Sequence, residues 1–228
     1  MVQRGSIGGG SPIAHVQDNF TVNAGGGISS FTPIINGTAA GNFFVILISG
    51  NASAENNLAT AVVFNGSSNG ASCSHSPGTF INSGVTGSEQ FSDIWYCMNN
   101  PTSANITFNF GFTTQADNSV NGPRAMIGEF SGVATTAADA GLGNTFNAST
   151  TSMSISTTGA VPQTNDLVVS SNIVTIASPT AIGGSQIDFT SDTGKNSSYQ
   201  LITSGTITHT YAMASQQVTG SIAAFKHP

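Results

Sequence analysis

The sequence predicts an all-β protein: a single antiparallel β-sandwich, jelly-roll-like in outline, whose two halves repeat one pattern. Three observations carry this. Charged residues number only 14 of 228, 4 Lys+Arg against 10 Asp+Glu, so the usual helix formers are scarce and bundles or coiled coils are excluded. Short apolar runs recur throughout, separated by clusters of Gly, Ser, Asn and Thr, which is the spacing of a sandwich. One segment, 105–112, alternates cleanly, with Ile106, Phe108, Phe110 and Phe112 on one face and Thr107, Asn109 and Gly111 on the other.

In chain order, 13–17 and 20–23 read as short strands interrupted by Asp18-Asn19, and Gly25-Gly26-Gly27 as a turn. Residues 30–35 form another strand, placed at an edge by Pro33. The run Phe43-Phe44-Val45-Ile46-Leu47-Ile48 is apolar without a break and bounded by Gly41 and Gly50, the signature of a strand buried on both faces. Residues 61–64 repeat the theme and end in an Asn65-Gly66 turn. Further strands are expected at 91–98, 105–112, 124–130, 152–156, 166–174, 199–203, 207–213 and 218–225. Residues 53–58 and 136–142 have room for one helical turn each.

The order of these strands says one thing twice. Asn42-Phe43-Phe44-Val45, then Trp95-Tyr96 with a hairpin to Phe110, then Met126–Phe130 match Asp166-Leu167-Val168-Val169, then Tyr199-Gln200-Leu201 with a hairpin to Met213, then 221–225. Each half alone would expose an apolar face, so residues 12–228 are expected as one domain. Residues 1–11 are expected as a flexible Gly-rich arm without the apolar core of a secretory signal.

Composition bounds the role. Four cations cannot neutralise a run of phosphates, so nucleic acid is not an expected partner. No apolar stretch reaches about 18 residues, so no membrane insertion by a helix is expected. Ser, Thr, Asn and Gly make up 106 of the 228 residues, which makes the surface neutral and rich in hydroxyls and amides. Such strand faces lack the charge that usually keeps sheets from pairing edge to edge. Cys73 and Cys97 are the only cysteines. They form either a disulfide, which implies an oxidising location, or two buried thiols.

The chain resembles a broad family of uncharacterised bacterial secreted modules, also found in phage genomes. The resemblance rests on Pro12-Ile13-Ala14-His15-Val16-Gln17, Ala40-Gly41-Asn42, Trp95-Tyr96 with Asn99-Asn100, Glu129-Phe130-Ser131-Gly132-Val133, Asn165-Asp166-Leu167-Val168 and Ala223-Ala224-Phe225-Lys226. It spans residues 12–226. It implies a β-sandwich of about 200 residues, of the kind that sits beside Ig-like or fibronectin-like repeats, and brings no catalytic residues. Where that family carries an Asp-Ser-x-Gly-Asn turn, this chain has Asn65-Gly66-Ser67-Ser68-Asn69-Gly70, without the aspartate.

Candidate chemistry is sparse. Gly66-Ser67-Ser68-Asn69-Gly70 matches G-x-S-x-G, but Pro77 and Gly78 follow where a nucleophile elbow needs a helix. His15, His75, His209 and His227 have no metal-ligand spacing. Asp117–122 and 188–192 are oxygen-rich loops that turn formation by Asn and Asp explains as well as calcium does. Glu129 is expected to face solvent or to pair with Arg124, and nothing requires Asp93 and Glu129 to meet as a glycosidase pair. Glycan contact would fall to Trp95, Tyr96, Tyr199 and Tyr211, the only Trp and Tyr residues, since sugar rings stack on such faces. An assembly arm would anchor Ile13 and Val16 in a neighbour's groove by strand addition.

The reading is an extracellular, non-catalytic structural subunit of a surface filament or virion, whose partners are copies of itself. A secreted carbohydrate-binding or adhesion module acting on cell-surface or polymeric glycans is the alternative, and a glycoside hydrolase a distant third. No cofactor and no metal are expected.

Overall fold

The computed structural model describes residues 11–22, 28–51, 62–64, 72–76, 78–83, 90–98, 105–116, 123–134, 143–161, 165–174, 178–192, 195–202 and 204–228. The first half of the chain forms β1 (Ala14–Val22), β2 (Ile28–Phe31), β3 (Ile34–Ile35), β4 (Phe43–Asn51), β5 (Val62–Phe64), β6 (Ser72–His75), β7 (Ile81–Asn82), β8 (Gln90–Met98), β9 (Ile106–Thr107), β10 (Phe110–Ala116) and β11 (Arg124–Ser131). The second half forms β12 (Gly143–Ser156), β13 (Leu167–Val174), β14 (Ala181–Gly183), β15 (Ile187–Asp188), β16 (Ser197–Leu201) and β17 (Thr208–Phe225). Every described pairing is antiparallel, and no helix occurs among the described residues. The two helical turns expected at 53–58 and 136–142 fall outside them.

Each half builds its own large sheet. The first runs β1-β11-β4-β8-β6, with β7 also on β8, and the second runs β12-β17-β13-β16-β15, with β14 also on β17. A smaller sheet, β2-β10-β5, and the ladder β3-β9 belong to the first half. The second half supplies their counterparts from the same long strands. The first part of β17, residues 208–212, pairs with the end of β12 and with β14, as β10 pairs with β2 and β5. A lone bridge from Val161 to Gly205 stands where β3 meets β9. Register makes the match residue by residue: Val45 lies between Tyr96 and Gly128, and Val169 lies between Tyr199 and Ala223. Tyr96 therefore corresponds to Tyr199, and Phe130 to Phe225. The chain is two copies of one two-layer unit, and strands alternate between layers, the jelly-roll feature, inside each copy.

Three cores follow from the period-2 pattern. Along β4, Phe44, Ile46 and Ile48 turn to the first half's own core with Phe31, Ile35, Ile106, Phe108 and Phe110. Phe43, Val45 and Leu47 turn the other way, onto Leu167, Val169, Ala223 and Phe225 of the second half. That shared core is the seam between the large sheets. The second half keeps its own core around Met153, Ile155, Val168, Tyr211 and Ile222. Every residue of β4 is buried, as its unbroken apolar run predicts. Gly128 makes the seam close, because a Cβ there would meet the Phe189 ring at 2.7 Å.

The strands differ from expectation where side chains found distant partners. β1 runs unbroken through Asp18-Asn19, with one irregularity between His15 and Gln17. The expected strand 30–35 splits at Thr32-Pro33, and 105–112 splits at Phe108, whose N–H donates to the Pro33 carbonyl at 2.9 Å. The expected strands 207–213 and 218–225 merge into the single strand β17.

Candidate functional site

Among the described residues, four polar clusters bear on the chemistry the fold could carry. The first lies at the disulfide edge. Cys73 and Cys97 sit directly opposite on β6 and β8 and are joined. Two residues on, His75 of β6 faces Trp95 of β8, their rings 4.9 Å apart. His75 Nε2 lies 2.7 Å from Asp93 Oδ1. The same oxygen accepts from Thr79 Oγ1 at 3.0 Å and from the Ile94 N–H at 2.9 Å, and Oδ2 accepts from Trp95 Nε1 at 3.0 Å. Asp93 is buried and each of its oxygens is engaged, so it orders the loop after β6. Alkylation of the denatured, unreduced protein is expected to label neither cysteine, and alkylation after reduction to label both; mass spectrometry reads the difference.

The second is Glu129, fully buried on β11. Its Oε1 accepts from the Ala39 N–H at 2.9 Å and from Asn42 Nδ2 at 2.7 Å, and its Oε2 from Gln17 Nε2 at 2.5 Å. The expected solvent-facing or Arg124-paired glutamate is corrected here. Five residues along one strand put Arg124 on the opposite face, and amide donors from β1 and the loop before β4 replace it. Asp93 and Glu129 stand opposite Ile48 and Phe44, on either side of β4. Four residues along a strand is about 13 Å, beyond the spacing of a glycosidase pair.

The third is the rim of the seam. Asp18 of β1 accepts from Thr190 N–H and Oγ1 at 3.0 and 2.8 Å and from the Ser191 N–H at 2.7 Å. Burial opposes its charge, but these bonds from Ser191 and Thr190 outweigh burial and hold the carboxyl below its ordinary value. His15 stacks on Tyr199 at 5.0 Å between Phe130 and Phe189, with Nε2 3.2 Å from Asp18. Nearby, burial first, then the charges of Asp192 and Asp18, push Asp188 up to about 6 against the opposing pull of Lys195. Its charged form therefore penalises the fold above pH 6, and the penalty fades down to pH 3.8, where the unfolded chain also protonates. Asp188→Asn is expected to raise the melting temperature at pH 7.5 and to leave it unchanged at pH 3.5.

The fourth is a hydroxyl cluster in the second half's core. Ser170 Oγ lies 2.6 Å from Tyr211 Oη and 2.6 Å from His209 Nδ1, and Ser198 Oγ lies 2.8 Å from Tyr211 Oη. Burial raises the Tyr211 phenol and lowers His209 to about 4. All four side chains are sealed from solvent, so a Ser–His contact here has no path to a substrate.

The residues proposed for binding are placed as follows. Tyr96 and Tyr211 are buried, Tyr199 is half-buried in the seam, and Trp95 is half-buried with its edge on Phe110 at 5.8 Å. The four do not form one platform: Tyr96 and Tyr199 face the seam, while Trp95 and Tyr211 face the two separate outer cores. Ile13, expected as an anchor in a neighbour, is buried in the seam core of its own chain, while Val16 is exposed at the β1 irregularity. The G-x-S-x-G segment and the loop 117–122 lie outside the described residues. Among the described residues no three His, Cys, Asp or Glu side chains group as a metal site. No helix of the described residues is long and apolar enough to cross a membrane. Compared with protein-family models, with curated proteins and with solved structures, the chain matches none of them.

Proposed function

We propose that the protein is an extracellular, non-catalytic structural subunit that assembles with copies of itself, as in a surface filament or virion. The observation that supports this best is β12. It spans fourteen residues, carries no charged side chain, and among the described strands it pairs with β17 on one side and with nothing on the other. A long edge without charge is a template for another strand. The internal use of carboxylates agrees with a structural role: Glu129, Asp93 and Asp18 each tie a loop to a sheet. The Cys73–Cys97 disulfide is compatible with an oxidising, extracellular location. A carbohydrate-binding role would need residues other than the four aromatic side chains, which are committed to three separate cores.

Light scattering of the purified protein over a wide concentration range tests the reading. Growth of the average mass with concentration is expected. A constant monomer mass up to millimolar protein sinks it.

A further inference from the structure

We draw no further inference here: the strongest candidate, the exposed apolar patch of Ile187 and Leu201 on either side of Tyr199 at the rim of the seam, is an uncovered sheet face, and nothing in the structure shows what covers it.

Discussion

Replacing Glu129 with alanine is expected to destabilise the first half by about 3–5 kcal/mol, the cost of stripping one member from a buried charged network. The carboxylate has no exposure, and three donors converge on it from two separate segments. Without it, Asn42 Nδ2 and the Ala39 N–H lose a charged acceptor, and a hydrogen bond to a charged group is worth about 1.5–3 kcal/mol. Gln17 loses less, because its Nε2 also donates to the Asn36 carbonyl at 3.0 Å. The loop before β4 and the edge strand β1 are both anchored at this point, so both should loosen together. Denaturant unfolding gives the magnitude, and hydrogen exchange at Ala39 and along β1 gives the location. Glu129→Gln should cost clearly less, since its carbonyl keeps one or two of the donors and only its amide is misplaced. Equal losses for the two variants, or a loss below about 1 kcal/mol for alanine, would show that the carboxylate is not what holds the loop.

Glu129 also shows where sequence reasoning stops. The strands were legible because their pattern is local: β4 is apolar without a break, and Ile106, Phe108 and Phe110 alternate as their burial does. The repeat was legible for the same reason, since Tyr96 and Tyr199, or Phe130 and Phe225, hold equivalent places in equivalent runs. Partners were not legible. The donors to Glu129 lie 87 to 112 residues away, and nothing in the composition of β11 distinguishes a face that meets water from one closed by a loop. The edge strands β7 and β15 are two residues long, too short for any period to declare itself. Ile13 reads as an anchor for a neighbour's groove because it follows an arm rich in glycine, yet one apolar residue at the margin of a seam is enough to fix the chain there.

The halves have diverged at one place that matters for stability. In the first, Trp95 meets Phe110 edge-on across the outer core. In the second, register sets Ser198 at the position of Trp95 and Ser170 at that of Ile46, and Tyr211 fills the space they leave. A phenol needs acceptors and donors where a phenyl ring does not, and the two serines supply them. The exchange converts an apolar contact into a polar network, which is costly if any member is left unmet. His209 is that member, because its Nε2 is buried without a partner.

Acid should therefore weaken the second half through His209. Burial lowers its folded value to about 4, while in the unfolded chain it returns to about 6.5. A histidine depressed in this way contributes stability that is complete above pH 6.5, because neither state binds the proton there. Between pH 6.5 and 4 only the unfolded chain binds it, so stability falls through that window, and below pH 4 the loss is constant. The full loss is about 3 kcal/mol. His209→Gln is expected to remove this slope between pH 6.5 and 4, leaving the variant less stable than the parent at pH 7.5 and closer to it at pH 4. Unfolding free energies at half-unit steps of pH would show it, and parallel curves for parent and variant would mean that the imidazole finds a proton acceptor inside the core. The opposite behaviour of Asp188, relieved by acid over nearly the same window, confines the diagnosis to the difference between parent and His209 variant, since both carry Asp188 unchanged.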